Sequence, residues 1–318
     1  MTLKVVAGTA HPVLASAVAE HLGLTLAACL VERFPDGEVQ VELREDVRGA
    51  DVYVVQPTGP PAGEHLLELL LLADACRRAG CARITAVVPY FAYARQDRRV
   101  RGGEPVGARL VADLFGAGGF ARVVAVDLHS AAIEGCFGMP LEHLSAVPLL
   151  ADAVRSTVSG NAVVVTPDLG AVKLAERYAR LLGLPLAIVY KQRVSGSEVR
   201  VRGLVGEVRG RAPLVVDDMI STAGTVAAAT TTLLDAGCLP EITVVASHAL
   251  LVGPAIERLR TLPLRALVTT DSVAMPVSVA VPAAVAVPVR AMSLAGLLGD
   301  AIRRLFADQP LGDLVAPG

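Results

Sequence analysis

Leu214 to Thr225 reads L-V-V-D-D-M-I-S-T-A-G-T, and the alanine- and threonine-rich stretch Val226 to Leu234 follows it. An apolar run enters two adjacent acids, then a short hydroxyl- and glycine-bearing loop, then a helix-forming segment. That is the strand–loop–helix unit of a parallel α/β sheet. Ligands gather at the carboxyl ends of such strands, and Asp217 and Asp218 are expected there. Gly224 has no Cβ, so the loop backbone can close tightly on an anion. The N–H groups of Thr222, Ala223, Gly224 and Thr225 fall at a helix N-terminus, which favours a phosphate. Two carboxylates beside a phosphate cradle suit a sugar phosphate: the acids take hydroxyls and the loop takes the phosphate. The plainer alternative is an ordinary strand–turn–helix with a capping serine or threonine.

Outward from this stretch, strand-like runs alternate with helical ones, the pattern of a doubly wound α/β fold. Strands are expected over Leu3 to Ala7, Asp51 to Gln56, Ile84 to Pro89 and Val123 to Asp127 in the first half. In the second they are expected over Ala162 to Thr166, Leu186 to Tyr190, Leu214 to Asp217, Ile242 to Ala246 and Ala266 to Thr269. Glu64 to Arg78, Gly107 to Phe115, Gly170 to Leu182 and Val226 to Ala236 read as helices between them. The halves look like variants of one unit, since V-A-V-D-L-H, like L-V-V-D-D, is an apolar strand ending in acid. A seam near Leu141 to Leu150 divides the chain into residues 1–144 and 145–318.

Bulk properties agree. A length of 318 residues suits two domains, and 53% apolar with 19% charged residues gives ample core. The formal net charge of −2 argues against a nucleic-acid partner recruited by bulk electrostatics, so any anion site must be built locally. Cys29, Cys76, Cys81, Cys136 and Cys238 are odd in number and form no C-x-x-C, which reads as buried thiols in a reducing cytosol. No signal-like apolar core is expected at the N-terminus. The most apolar run, Val273 to Val289, carries Pro276, Pro282 and Pro288, which would break a membrane helix. A soluble, cytoplasmic protein is expected. Lys4, Lys173 and Lys191 are the only lysines. A chain that otherwise writes its cations as arginine, yet keeps a lysine in a loop, suggests a need for a compact ammonium there.

Other clusters carry chemistry. Pro89 to Arg99, P-Y-F-A-Y-A-R-Q-D-R-R, follows an expected strand. Its arginine forks suit polyphosphate oxygens, and Gln96 with the aromatics suits a base; a solvated basic loop is the alternative. Arg33-Phe-Pro-Asp-Gly-Glu38 carries a turn signal between Leu26 to Val31 and Val39 to Leu43, a hairpin. His129, in D-L-H, and Asp168, in T-P-D-L-G, end two strands and suit a shared Mg²⁺ in an oxygen-rich setting. His11, His21, His65, His143 and His248 read as satisfied polar residues. Lys191-Gln-Arg193 follows L-A-I-V-Y and precedes Ser195-Gly-Ser197, a loop able to close over a reacting phosphoryl group. No lysine follows a glycine, which excludes a Walker A loop. Gly116 to Ala121 matches G-x-G-x-x-A but follows a helix and precedes a strand, so it reads as a cap and turn.

The Leu214–Thr225 loop resembles the phosphoribosyl-diphosphate loop of type I phosphoribosyltransferases and ribose-phosphate diphosphokinases. R-F-P-D-G-E, P-Y-F-A-Y-A-R-Q-D-R-R, V-D-L-H, T-P-D-L-G, K-Q-R and V-D-D-M-I-S-T-A-G-T together resemble the ribose-phosphate diphosphokinase (phosphoribosyl-diphosphate synthetase) family in order and spacing. The likeness runs from K-V-V-A-G-T to A-I-R-R-L-F, essentially the whole chain. It implies two tandem type I phosphoribosyltransferase-like domains, each a mostly parallel sheet flanked by helices. It implies transfer of the diphosphoryl group of ATP to the anomeric hydroxyl of ribose 5-phosphate, with AMP leaving. On this resemblance, Asp36, Gly37 and Glu38 hold adenine with Phe34 stacking, and Arg95 and Gln96 hold the rest of ATP. His129 and Asp168 take Mg²⁺, supported by Asp127. Asp217 and Asp218 hold ribose hydroxyls, while Ser221, Thr222, Ala223, Gly224 and Thr225 take the 5-phosphate. Lys191 and Arg193 neutralise the transferred group, Arg193 also serving the ribose 5-phosphate side. The family further implies a dimer-based homo-oligomer, up to a hexamer, with a composite active site, and no nucleic-acid or membrane partner.

Departures cluster. Ser221 stands where many relatives have Asp, and Ala171 where a second glycine is usual. Ala132, Gly138, Glu142 and His143 replace residues of the family's allosteric phosphate and ADP site, and an unpaired Glu142 facing that anion would repel it. Two rivals stay open: a type I phosphoribosyltransferase, which leaves the hairpin and the R-Q-D segment unexplained, and a non-catalytic regulatory subunit, which should have lost Lys191, Arg193, His129 and Asp168.

Overall fold

Valine-rich runs build the central strands. D-V-Y-V-V at Asp51–Val55 and A-V-V-V-T at Ala162–Thr166 are buried at every position, the mark of parallel strands covered on both faces. The computed structural model describes residues 1–193, 199–275 and 288–316, with the backbone alone for 191–193 and 199–202. By contact the chain forms two units: residues 1–145 with 272–274 and 293–318, and residues 146–271 with 275–292.

The first unit carries β1 (Leu3–Ala7), β2 (Cys29–Arg33), β3 (Val39–Leu43), β4 (Asp51–Val55), β5 (Arg83–Val88), β6 (Arg122–Val126) and β7 (Leu141–Leu144). Its helices include α1 (Pro12–His21), α2 (Ala62–Arg78) and α3 (Gly107–Gly118). The sheet order is β1-β4-β5-β6-β7, all parallel, while β2 and β3 pair separately as an antiparallel hairpin. Gly119, left-handed at φ +85, caps α3, so the G-x-G-x-x-A match is a cap and turn as expected. The final helix, Ala295–Phe306, packs on α1. His21 Nε2 meets Asp300 Oδ1 at 3.0 Å, Arg303 Nη2 donates to the His21 carbonyl at 3.1 Å, and Gly299 leaves room for the His21 ring. A division at 144/145 puts this helix with the second unit; its packing puts it with the first.

The second unit carries β8 (Ala162–Thr166), β9 (Leu186–Arg193), β10 (Val199–Val205), β11 (Ala212–Ile220), β12 (Ile242–Ala249), β13 (Leu264–Thr270) and β14 (Val289–Met292). Its helices include α4 (Val147–Arg155), α5 (Val172–Leu182), α6 (Gly224–Asp235) and α7 (Ala255–Arg260). The sheet order is β10-β9-β8-β11-β12-β13-β14, parallel except for β10 at its edge. Val226, Ala229 and Leu233 of α6 join Ala255 and Leu259 of α7 in a core with Val163, Val165, Val215 and Val244. Two mostly parallel sheets flanked by helices are therefore observed, as the sequence implied. Several spans differ: β11 runs past Asp217 to Ile220, β12 runs past Ala246 to Ala249, and β9 continues through Lys191 to Arg193, paired with Val201 to Val199 of β10. β7, β10 and β14 join the sheets as strands beyond those expected. V-R-V-R-G in β10 alternates charge with valine, which reads as solvated surface until its partner is known.

All five cysteines are free thiols; Cys76 and Cys238 are buried, and the other three are partly so. Burial raises the Cys76 thiol to about 12, which keeps it unreactive. Among the described residues no helix is long and apolar enough to cross a membrane; most of the Val273 to Val289 run lies outside them.

Candidate active site

The hairpin turn is fixed by its own chemistry. Gly37 supplies φ +94, the Glu38 N–H donates to Asp36 Oδ1 at 3.1 Å, and the Phe34 N–H donates to the Glu38 carbonyl at 2.9 Å. Cys29, Val31, Val41 and Leu43 pack on the core, which holds the hairpin by one face. Phe34, at the tip, is 47% exposed, an aromatic face open to a planar ligand. Asp36, Gly37 and Glu38 are also exposed there.

After β5 the chain turns sharply. Thr58, buried beyond β4, donates its hydroxyl to the Tyr90 carbonyl at 3.0 Å and accepts the Ala92 N–H at 2.8 Å. Nothing in V-V-Q-P-T marks that threonine as the anchor. Tyr93 is held at φ +62, a left-handed conformation that costs a bulky residue roughly 1–3 kcal/mol and clusters at functional sites. Arg95 and Gln96 are exposed. Gln96 lies over the start of α3, where a Cβ on Gly107 would come within 2.5 Å of its Oε1. The aromatics divide, against the expectation that they serve a base together. Tyr90 and Phe91 are buried, with Phe91 edge-on to Phe115 at 6.0 Å and tilted against Phe137 at 5.4 Å; Tyr93 alone of the three faces solvent.

Beyond β6, Asp127 is left-handed at φ +39 and is held on several sides. Its N–H donates to the Leu144 carbonyl at 3.0 Å, and its Oδ1 accepts from Ser145 Oγ at 2.9 Å. The Leu128 N–H donates to His143 Nε2 at 2.9 Å, and His143 Nδ1 stands 2.8 Å from Glu134 Oε1. His129 follows, exposed. Glu142 pairs with Arg122 at 3.4 Å, so it is not the unpaired carboxylate considered from the sequence.

In the second unit, β8 pairs with β11 only as far as Val215, whereas β12 runs beside it to Ile220. Past Val215 the flank of β11 meets the turn after Thr166, which carries Asp168. Asp168 Oδ1 accepts the Gly170 N–H at 2.9 Å. Burial raises the Asp217 carboxyl well above the usual carboxylate range, reinforced by the charge and hydrogen bond of Asp218 and the charge of Asp168. Carboxylates so crowded suit a cation or a set of hydroxyl donors. His129 and Asp168 belong to different units, and among the described residues no group of three or more His, Cys, Asp or Glu forms a metal cluster.

The loop after β11 has its left-handed residue at Ala223, with φ +57 and ψ +11. At Gly224 the missing Cβ leaves room for a side chain, since a Cβ there would lie 3.3 Å from Arg258 Nη1. Ser221, Thr222, Gly224 and Thr225 are at least partly exposed where α6 begins. Nothing in the sequence points to Arg258 of α7, because a lone arginine in a short helix carries no local signal. Lys191 and Arg193 sit in β9 by backbone; their side chains, and Ser195 to Ser197, lie outside the described residues.

Residues 3–119 match the model for the N-terminal domain of ribose phosphate pyrophosphokinase, and residues 147–260 match the phosphoribosyl transferase domain model. The chain is 43% identical over 305 residues to a ribose-phosphate pyrophosphokinase of Caldanaerobacter subterraneus, covering 96% of this chain and 95% of that one. It is also 43% identical over 315 residues to one from Rhodopirellula baltica, covering 98% of each. Its fold matches the crystal structure of a phosphoribosylpyrophosphate synthetase from Mycobacterium smegmatis with a TM-score of 0.89 at 37% identity, over 97% of this chain and all of that one. Similarity of this extent spans both units and passes well beyond the one domain, residues 147–260, that matches the phosphoribosyl transferase model. The chain belongs to the ribose-phosphate pyrophosphokinase family.

Proposed function

We propose that the protein transfers the diphosphoryl group of ATP to the anomeric hydroxyl of ribose 5-phosphate, giving 5-phosphoribosyl 1-diphosphate and AMP for nucleotide biosynthesis. The observation that carries this reading is the run from Asp217 to Thr225. Crowded carboxylates at Asp217 and Asp218 are followed, at Gly224, by a helix N-terminus, hydroxyl binders beside a phosphate binder. Asp217 and Asp218 take the ribose hydroxyls, and Ser221 to Thr225 take the 5-phosphate. ATP occupies the other cluster: Phe34 stacks on adenine, Asp36, Gly37 and Glu38 read its edge, and Arg95 and Gln96 hold the remainder. The exposed tip ring and the exposed Arg95 support that division.

His129 and Asp168 are the candidate Mg²⁺ ligands on the family resemblance, and the crowding of Asp168 with Asp217 and Asp218 supports a cation beside Asp168. When bound, the ion supplies neutralisation of the phosphate oxygens. Asp127 orients the turn bearing His129. Lys191 and Arg193 place positive charge on the transferred group as its oxygens redistribute charge, so catalysis is positioning and charge stabilisation. The proposed setting is cytoplasmic, in a dimer-based homo-oligomer whose hairpin completes a neighbour's site.

Incubating the pure protein with ATP, Mg²⁺ and ribose 5-phosphate should release AMP and phosphoribosyl diphosphate in equal amounts. Formation of ADP and a ribose bisphosphate would overturn the reaction class. Absence of any turnover would return the chain to a regulatory role.

A further inference from the structure

The loop that opens α6 is tied down on its carbonyl side. The Val252 N–H donates to the Ser221 carbonyl at 3.0 Å, and Arg258 Nη1 donates to the Thr222 carbonyl at 2.9 Å. A trans peptide is planar, with C=O and N–H pointing opposite ways. Each of these bonds therefore also aims the N–H of the next residue. Anchoring the Ser221 carbonyl turns the Thr222 N–H away from Val252, and anchoring the Thr222 carbonyl turns the Ala223 N–H away from Arg258. Between these peptides and α6 sits Ala223, whose φ of +57 is disfavoured for a residue with a Cβ. Such a conformation persists where the surroundings over-determine it, and the Val252 and Arg258 bonds do so here. The N–H groups of Thr222 to Thr225 meet no acceptor among the described residues.

We infer that Arg258 is a positioning residue for substrate phosphate: by holding the Thr222 carbonyl, its guanidinium aims the loop N–H groups at the anion. The inference rests on the proposed assignment of this loop to the 5-phosphate. Gly224 belongs to the same device. Its backbone is not left-handed, so alanine is conformationally acceptable there. Yet a Cβ would stand 3.3 Å from Arg258 Nη1, and either the guanidinium or the loop would have to shift. The glycine thus serves the arginine's approach as much as the loop's own bend.

Calorimetric affinity for ribose 5-phosphate, with KM for both substrates and the melting temperature, tests this in Arg258→Ala, Arg258→Lys, Gly224→Ala, the Arg258→Ala/Gly224→Ala double variant and Thr225→Val. Arg258→Ala should weaken ribose 5-phosphate roughly ten-fold, the scale of one charge-assisted hydrogen bond, with KM for ATP unchanged. Lysine, able to donate to the same carbonyl, should recover part of the loss. Gly224→Ala should cost less in the Arg258→Ala background than alone, because the crowding partner is gone. If Thr225→Val weakens ribose 5-phosphate while Arg258→Ala does not, the loop assignment stands and the role of Arg258 is overturned. Equal loss for both substrates together with a lowered melting temperature also overturns it, in favour of a merely structural role. If neither variant affects ribose 5-phosphate, the loop is not the phosphate subsite and both readings fail.

Discussion

His143 Nε2 accepts the Leu128 N–H at 2.9 Å, one residue before His129. With that nitrogen accepting, the ring proton lies on Nδ1 and is donated to Glu134, 2.8 Å away. His143, one of the expected departures from the family pattern, thus braces, with Glu134, the turn that carries the proposed Mg²⁺ ligand. His143→Leu should leave the Leu128 N–H unpaired at a cost of about 1–3 kcal/mol, raise its exchange rate, and raise the Mg²⁺ concentration needed for half-maximal activity. His143→Gln, whose amide oxygen reaches the same place, should restore most of each. Amide exchange and Mg²⁺ titration check this; slow exchange in the leucine variant would contradict it.

Asp217 ties stability to pH. Its carboxyl is raised in the fold by burial and by the Asp218 and Asp168 charges. A carboxyl raised on folding contributes stability that is fully present below its unfolded pKa and is lost as pH rises through its folded one. The ligand-free protein should therefore lose stability on that alkaline side, and Mg²⁺ should restore it. Asp217→Asn should melt higher than the parent there, converge with it on acidification, and lose most activity. Melting curves across pH, with and without Mg²⁺, decide the matter.

Lys191→Ala should lower kcat by roughly 10²–10³-fold with little change in KM, the scale of removing one transition-state donor. Lys191→Arg should also be impaired, since a planar fork does not replace a point charge. Steady-state kinetics that leave kcat near normal in the alanine variant would remove this lysine from the mechanism.

If the hairpin completes a neighbour's site, Glu38→Ala and Asp217→Ala should each be nearly inactive alone and regain activity when mixed. Random mixed dimers would carry one fully intact site in about half of the assemblies, so recovery approaching a quarter of normal activity is expected. Lack of recovery after verified subunit exchange would indicate self-contained sites.

The sequence by itself determined the alternation of strands with helices along the central sheets, and it named the residues proposed for the site. Leu3–Ala7 and Ala162–Thr166 are strands to the residue as expected, because short valine-centred apolar runs suit the buried strands of a parallel sheet. Gly37 and Gly119 mark their turns because a left-handed backbone is a local requirement. Tertiary structure decided what no local window contains. It set the end of β11 by how far β12 accompanies it, and sent Phe91 into an aromatic core while Tyr93 stayed out. It joined His21 to Asp300 and Arg258 to Thr222, and fitted His143 behind Leu128. These partners are distant in the chain. Periodicity and turn chemistry report only on near neighbours, whereas such contacts are chosen by the packing of whole elements and by the need to pair each buried polar group.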